Sequence, residues 1–322
     1  MATVHRHEPS IYYYTFGPNE PALHINAGDH VIVQTVDAGH WDRNGEELAA
    51  EKRYSRPDTE YRQANPQVGP YYVEEAEVGD ILCVRIHRVD LNRDWAFSRY
   101  NPGFGNMGVE DYPGGPTGLN EPLPQKYYHW EIDLESQMAT LDLPESKLGS
   151  ITIPCHPFLG CIGVAPRFGE HISTLSSANH GGNMDCVDTG PGTTVYLPVF
   201  VKGAYLQFAD VHAAQGDGEL CGVALETCAE VEVEVEVRKS GGPIYWPRFE
   251  DDEWIMVAAN TRPLMDAYKI AHVELIRWLA SDYGFDLWDA FQVVSQVGRT
   301  RVGNVVDPNF TVVAKFPKRY LP

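Results

Sequence analysis

A strict alternation of apolar and acidic residues marks the segment AEVEVEVEVRKS. Its apolar positions are Val231, Val233, Val235 and Val237, and each is separated from the next by a glutamate. Successive side chains of a β-strand point to opposite faces, so the pattern predicts a strand with one buried face and one acidic face. Four carboxylates in a row could bind a cation, but a solvent-facing side of an antiparallel sheet is the simpler interpretation.

Apolar runs bounded by turn residues predict β-structure over the first two thirds of the chain. AGDHVIVQTVDAGH and EVGDILCVRIHRVDL each begin with a Gly-Asp turn and continue into a run of β-branched residues. Further strands are predicted in the segments GSITIPC, TTVYLPVFV, AYLQFADVH, CGVALET and, near the C-terminus, NFTVVAKF.

Helical spacing is confined to the last part of the chain. Thr261 is predicted to cap a first helix, with Pro263 in its first turn, and a second helix is predicted between Asp286 and Gly298. The apolar face of the first helix would consist of Leu264, Tyr268, Ala271, Leu275, Ile276 and Leu279, and that of the second of Leu287, Phe291, Val294 and Val297. Strands followed by helices predict a mainly β (α+β) fold with two C-terminal helices.

The segment 92–130 differs from its surroundings, because it is rich in Gly, Pro, Asn and aromatic residues without periodicity. Such a long connection predicts a central loop that covers a small site as a lid, with a structural Ω-loop as the alternative. We expect a single unit over 1–322. It could divide into an N-terminal β part, 1–150, and a part with the β core and the helices, 151–322.

Charge and cysteine content exclude several classes of protein. The 322 residues carry a formal net charge of -20, which disfavours nucleic acid and anionic membranes as partners. The N-terminal MATVHRHEPS is polar and lacks the apolar region of a signal peptide, and no apolar run could span a bilayer. Six cysteines without a CxxC pair predict reduced thiols in a cytoplasmic protein.

The segment ADVHAAQGDGEL combines three carboxylates, one histidine and two glycines. Alternation places Asp210 and His212 on the same face of a strand end, and the following glycines allow a tight turn before Glu219. Nitrogen and oxygen ligands of this kind suit Zn²⁺, although an Asp-x-His pair can also serve only strand-end hydrogen bonds.

Three further segments carry candidate chemistry. Asp37 and His40 follow an apolar strand in QTVDAGHW, and Asp185 follows two glycines in SANHGGNMDC, where turn formation is the alternative. His156 stands between a cysteine and a proline in PCHPFLGCIGVAP, a position that also suits a packed loop histidine.

Taken together, these segments resemble the acetamidase/formamidase family. The resemblance is carried by TVDAGHW, HPFLGCIGVAP, GGNMD, LPVFVKGAYLQFADVHAAQGDGE and VDPNFTVVAKFPK, in this order, and it runs from about residue 20 to the C-terminus. It implies a β-sandwich-like core of antiparallel strands with added helices, a bound divalent metal ion, and hydrolysis of a short aliphatic amide to carboxylate and ammonia.

The resemblance also implies a set of site residues. The expected ion is Zn²⁺, with Ca²⁺ or Mn²⁺ as alternatives, because a carboxylate-rich ligand set also suits harder ions. The candidate metal ligands are Asp37, Asp185, Asp210 and His212, and His156 is expected near the same centre. Glu219 is the first candidate for the carboxylate that moves protons, and Glu226 is the second.

Other functions remain open at this point. A non-catalytic metal- or ligand-binding β-sandwich is one alternative, and a thiol amidase with Cys155 or Cys186 as nucleophile is another. No Gly-x-Ser-x-Gly elbow is present. The aromatic residues Trp278, Trp288 and Phe291 on the predicted helices, together with the family resemblance, lead us to expect a homo-oligomer.

Overall fold

The computed structural model describes residues 2–54, 65–102, 104–105, 124–239 and 244–322. Strands dominate these ranges, and two α-helices follow near the C-terminus. The strands are β1 Val4–His7, β2 Tyr12–Tyr13, β3 Thr15–Phe16, β4 Leu23–Ile25, β5 His30–Gln34, β6 Arg53–Tyr54, β7 Val68–Val73, β8 Ile81–Leu91, β9 Trp95–Tyr100, β10 Lys126–Asp133, β11 Met138–Leu143, β12 Gly149–Pro154, β13 Phe158–Gly163, β14 Ile172–Ser173, β15 Ser177–Ala178, β16 Gly181–Asn183, β17 Thr194–Pro198, β18 Leu206–His212, β19 Glu226–Thr227, β20 Ala229–Arg238, β21 Arg248–Glu250, β22 Trp254–Thr261, β23 Arg299–Asn304 and β24 Phe310–Pro317. The helices are α1 Leu264–Tyr283 and α2 Leu287–Val297.

Two large sheets hold most of these strands. The first has nine strands in the order β1-β5-β20-β8-β17-β21-β22-β24-β23. The second has eleven and includes the path β12-β11-β10-β9-β19-β18-β13-β16-β15, with β7 pairing to β18 and β4 pairing to β7. Side chains from both sheets meet in one main hydrophobic core, which confirms the predicted mainly β, sandwich-like fold. Each large sheet takes strands from 1–150 and from 151–322.

The alternating Val/Glu segment forms β20 in the middle of the first sheet. Val231, Val233 and Val235 are fully buried between the sheets, and the glutamates lie on the outer face. Burial of one such valine side chain contributes about 1.5–3 kcal/mol relative to exposure, so the apolar half of the pattern determines which face of β20 points inward.

Two predicted segments differ from the structure. In CGVALET only Glu226–Thr227 is a strand, because the residues before it form a turn. The ends of the predicted lid 92–130 are the strands β9 and β10, which pair with each other antiparallel. Their aromatic residues are strand formers, which the sequence interpretation mistook for part of a loop. The prediction of a lid between them falls on residues 103 and 106–123, which lie outside the described residues.

The first helix starts later than predicted. Thr261 is the last residue of β22, and Pro263 occupies the N-cap position without a side-chain hydrogen bond. The buried face of α1 consists of Ala267, Ala271, Glu274, Leu275, Trp278 and Leu279. Leu264 and Tyr268, which were expected in this face, are exposed, because the side of α1 that packs on β22 and β24 is rotated toward Glu274 and Trp278.

The second helix has the predicted ends. The Asp286 side chain accepts hydrogen bonds from two backbone N–H groups of the first turn, and Gly298 ends the helix. Its apolar face is only partly covered. Val294 is buried, but Leu287 and Phe291 are 55% and 56% exposed. No helix in the described ranges is long and apolar enough to cross a membrane.

Candidate metal centre

Four neighbouring strands of the second sheet, β19, β18, β13 and β16, bring the site together. β18 contributes Asp210 and His212, and His212 lies opposite Glu226 of β19 in the strand register. On the other side of β18, β13 pairs with β16, and Asp185 lies two residues after the end of β16. The predicted proximity of Asp210 and His212 is present, with 3.5 Å between Oδ1 of Asp210 and Nε2 of His212.

The backbone is unusual at two of these carboxylates. Asp185 has a φ of 44° and Asp210 a φ of 59°, in the left-handed region that residues other than glycine rarely adopt. Such conformations persist only where the surrounding structure holds them, and they are common at functional sites. Here they turn both side chains toward His212.

Hydrogen bonds determine which nitrogen of His212 faces the carboxylates. The Gln215 amide donates from Nε2 to the backbone oxygens of Asp185 and Gly303, at 2.7 and 3.0 Å. Its oxygen Oε1 therefore faces Nδ1 of His212, at 2.9 Å, and Nδ1 must be the donor. The lone pair of a neutral His212 is then on Nε2, which lies 3.3 Å from Oε1 of Glu226. Metal-binding histidines are held in this way by a bond at the other ring nitrogen.

In each of the two aspartates, only one carboxylate oxygen accepts hydrogen bonds. Oδ2 of Asp185 accepts from the side-chain amides of Asn183 and Asn304, at 2.8 and 2.5 Å. Oδ2 of Asp210 accepts from Nδ2 of Asn65 at 2.8 Å. Among the described residues, the Oδ1 atoms of both aspartates are buried and have no hydrogen-bond partner.

Glu226 repeats this arrangement. Its Oε1 accepts from the backbone N–H of Ala224 at 3.1 Å, and its Oε2 is buried without a hydrogen-bond partner in the described part of the chain. Unpaired buried polar atoms are costly, so three of them on carboxylates grouped with His212 require an explanation. A bound cation would give such oxygens a partner.

The pKa values of the site reflect the crowding of buried carboxylates. Burial and the neighbouring carboxylates raise the pKa of Asp185 and that of Glu219 well above their ordinary values. Burial lowers the pKa of His212, but the charges of Glu226 and Asp210 outweigh this effect and raise it well above its ordinary value. Bound protons therefore offset the negative charges of the buried carboxylates. A divalent cation at the site would displace these protons.

The ligand atoms fall into two overlapping groups. Asp185, His212 and Glu219 form one, and Asp210, His212 and Glu226 form the other, with the ligand atoms of each group within 4.8 Å of one another. One imidazole nitrogen and several carboxylate oxygens suit Zn²⁺ and also harder divalent ions. The residues present therefore fit the expected divalent metal ion.

Sequence reasoning missed Gly160, which lies in β13 against the carboxylates. A Cβ atom at this position would lie 2.7 Å from Oδ1 of Asp185 and 2.7 Å from Oδ2 of Asp210. Only glycine leaves the space in which these two side chains approach each other. The signal was present, since Gly160 lies in the segment HPFLGCIGVAP that carried the resemblance.

A network of amides behind the site was also missed. Asp307 is buried and accepts from Nδ2 of Asn183 at 2.6 Å and from the side-chain amide of Asn304. Burial raises the pKa of Asp307 to about 6, although the bonds from these amides lower it. The two asparagines thus connect Asp307 to Asp185. Asp307 belongs to VDPNF, a quoted segment in which no residue was singled out.

Two predicted site residues lie outside both groups. Asp37 is fully buried, and its Oδ2 forms an ion pair with Nη2 of Arg93 at 2.6 Å. Burial raises the pKa of Asp37 to about 6, against the opposite effect of Arg93. His156 is exposed, and its backbone N–H donates to the oxygen of Ala213.

A cavity of about 1180 Å³ opens beside the candidate metal centre. Glu219, Gln215 and His156 line it, so the cavity reaches the centre from the side of Glu219. The apolar part of the wall includes Trp130, Ile153, Val187, Leu220, Val223 and Leu225. A small ligand in this cavity would meet both this apolar wall and polar side chains, Glu219 among them.

The two thiols considered as nucleophiles are buried. Burial raises the pKa of Cys155, and burial together with Asp188 raises the pKa of Cys186 well above its ordinary value. Because the thiolate is the nucleophile, a raised pKa leaves both residues in their unreactive form at neutral pH.

The fold and the buried histidine–carboxylate centre define a mainly β protein with a site suited to a divalent metal ion. A sequence model of the Acetamidase/Formamidase family matches residues 168–320. An acetamidase of Mycolicibacterium smegmatis is 33% identical over 282 residues, which are 66% of this chain and 68% of that protein. The chain belongs to the acetamidase/formamidase family.

Two further comparisons agree with this assignment. The crystal structure of an acetamidase from Yersinia enterocolitica superposes with a TM-score of 0.84 at 36% identity, and the match covers 100% of this chain and 94% of that one. A formamidase homologue of Schizosaccharomyces pombe is 38% identical over 225 residues, or 56% of this chain. The match spans about half of that relative, 55% of its length.

Proposed function

We propose that the protein hydrolyses small carboxamides to a carboxylate and ammonia with the help of a divalent metal ion bound at His212. The observation that carries the proposal is the set of three unpaired buried oxygens, on Asp185, Asp210 and Glu226, in two groups of potential metal ligands that share His212. The acetamidases and formamidases among the relatives support amide hydrolysis as the reaction.

Nε2 of His212 would hold the ion, with carboxylate ligands from the two groups that share this histidine: Asp210 and Glu226 from one, and Asp185 from the other. Zn²⁺ is the first candidate, and Mn²⁺ and Ca²⁺ are the alternatives. When bound, such an ion acts as a Lewis acid on an amide carbonyl and lowers the pKa of water toward ~7. Gln215 keeps the imidazole in the tautomer that this role requires.

The cavity would bind the substrate. Its apolar wall favours the acyl part of an amide and excludes bulk water, while Glu219 and His156 face the polar end. The exposed position of His156 gives it a role in contacting the substrate rather than in metal binding. The protein's own side chains thus orient the carboxamide toward the centre.

Glu219 would move the proton. In hydrolysis, the water oxygen bonds to the carbonyl carbon, the C–N bond breaks, and the nitrogen must gain a proton to leave as ammonia. Glu219 lines the cavity and belongs to one of the two groups that share His212, and burial together with the neighbouring carboxylates raises its pKa above the ordinary value. Glu226 is less suited, because Ala224 and His212 already engage its Oε1.

The test combines elemental analysis with a panel of amides. Purified protein should contain a divalent metal ion and release ammonia from formamide or acetamide. A chelator should abolish the activity, and the metal should restore it. Asp185→Asn should lower metal content and activity together. Metal-loaded, folded protein that releases no ammonia from any amide would instead favour a non-catalytic binding protein. Activity that survives complete metal removal would refute the proposal.

A further inference from the structure

A second group of metal-binding side chains lies on the outer face of the nine-stranded sheet, away from the candidate metal centre. It consists of His30 of β5, His87 of β8 and Glu234 of β20, whose ligand atoms lie within 4.8 Å of one another. The side chains are 23%, 31% and 30% exposed, respectively. Each is therefore accessible to an ion in solution and also held by its neighbours.

The three residues come together because β20 lies between β5 and β8. Glu234 is directly opposite His30 in the register with β5. On the other side, the register shifts between Glu232, which faces Arg88, and Val233, which faces Ile86. His87 is the extra residue of this β-bulge. A regular strand would turn either His87 or Arg88 into the core, whereas the bulge leaves both on the outer face.

The neighbouring arginine, Arg88, pairs with other glutamates, so Glu234 can interact with the histidines. Nε of Arg88 pairs with Glu232 at 2.8 Å, and its Nη2 pairs with Glu230 at 3.3 Å. Glu234, by contrast, contacts His87, with Oε2 2.8 Å from Nε2. This contact is a hydrogen bond, and a metal ion would compete with it for the same two atoms.

A second carboxylate, that of Glu232, orients the ring of His30. Its Nδ1 pairs with Oε1 of Glu232 at 3.1 Å, an arrangement in which a carboxylate fixes the tautomer and leaves Nε2 with its lone pair. The rings of His30 and His87 are stacked, with centroids 5.0 Å apart and an interplanar angle of 18°. Two imidazoles beside one carboxylate, with a second carboxylate behind one ring, are a donor set typical of transition-metal sites.

We propose that His30, His87 and Glu234 form a second metal site on this face, which takes a first-row transition-metal ion with a preference for imidazole, such as Zn²⁺, Cu²⁺ or Ni²⁺. Glu230, Glu232 and the net charge of -20 raise the local concentration of cations. An ion here would link β5, β20 and β8 and stabilise the folded chain, because the unfolded chain does not hold the three ligands together. The inference does not depend on amide hydrolysis.

The experiment compares zinc stoichiometry in four proteins: the wild type, His30→Gln, His87→Gln and His24→Gln. Each is first saturated at the candidate metal centre and then dialysed to equilibrium against micromolar Zn²⁺. Glutamine keeps a polar side chain and removes the imidazole. His24→Gln is the matched control, because His24 also pairs with a glutamate, Glu74, at 2.7 Å, but on β4 in the other sheet.

The wild type and His24→Gln should bind one more equivalent of zinc than His30→Gln and His87→Gln. Zinc should also raise the melting temperature of the wild type more than that of His87→Gln. With Cu²⁺ as probe, the extra ion in the wild type should show coupling to two imidazole nitrogens in electron paramagnetic resonance. Equal stoichiometry in all four proteins would overturn the inference, and so would an equal loss in His24→Gln. Amidase activity should be unchanged in all three variants.

Discussion

Gly160 offers the sharpest test of how the candidate metal centre is built. Gly160→Ala adds one methyl group in β13, directly against the carboxylates of Asp185 and Asp210. The new carbon would lie 2.7 Å from an oxygen of each, whereas ordinary van der Waals contact begins at about 3.4 Å. One or both carboxylates must therefore move by about 0.7 Å or more, because the strand itself is paired on both sides.

The expected consequence is a loss of function larger than the loss of stability. Overpacking of a well-packed interior costs about 1–3 kcal/mol, which a folded domain of this size tolerates. A displacement approaching 1 Å at a catalytic site costs about 10²-fold in rate. Gly160→Ala should thus fold, bind metal more weakly and lose about 10²-fold in turnover. Metal analysis, ammonia release and thermal unfolding are the measurements.

Substitutions at two other glycines serve as controls that separate a loss of function from a loss of stability. Gly216 borders the cavity, and a Cβ there would meet no atom of the described residues within 4 Å, so Gly216→Ala should behave as the wild type. Gly163 lies in the same strand as Gly160, but its Cβ would meet the backbone nitrogen of Gly182 at 2.7 Å. Gly163→Ala should therefore lose stability. Full metal content and wild-type turnover in Gly160→Ala would refute the described geometry of the centre.

Four further predictions follow from single residues. Glu219→Gln should keep its metal content while turnover falls about 10²–10⁴-fold, and loss of the metal would make Glu219 a ligand instead. Asp37→Asn breaks the buried ion pair with Arg93, so calorimetry should show that the folded state is destabilised by about 3–5 kcal/mol, with the metal content unchanged. A loss of metal in this variant would instead indicate that Asp37 is a ligand. Hydrogen bonds from two backbone N–H groups and from His5 outweigh burial and hold the pKa of Asp29 at about 2, below its ordinary 3.8. Since the folded-state pKa is the lower one, Asp29 should contribute about 2 kcal/mol above pH ~4, and this contribution should vanish as the pH falls toward 2; an identical acid profile in Asp29→Asn would contradict this. Trp288 is 78% exposed on α2, so light scattering should show a dimer or larger species, and a monomer at micromolar concentration would count against an interface there.

Local sequence pattern determined several elements of this protein. The Val/Glu alternation sufficed to place β20 and its buried face, since a strand repeats every two residues whatever its neighbours are. The same periodicity predicted Asp210 and His212 at one end of β18, although the left-handed backbone at Asp210 is what turns its side chain toward His212. Asp286 with Gly298 set the limits of α2 because capping is a local interaction. The shared segments were sufficient to indicate the family, because they carry the site residues in a fixed order.

Tertiary structure decided which of the candidate residues meet. Asp37 follows an apolar strand and Asp185 follows a pair of glycines, yet the sheet order brings Asp185 to His212 and leaves Asp37 with Arg93. Contacts between distant segments depend on strand order and register, which no single segment encodes. The same holds for the space that Gly160 leaves free and for the side of α2 that the sheet covers, because both are set by what packs against the element from elsewhere in the chain.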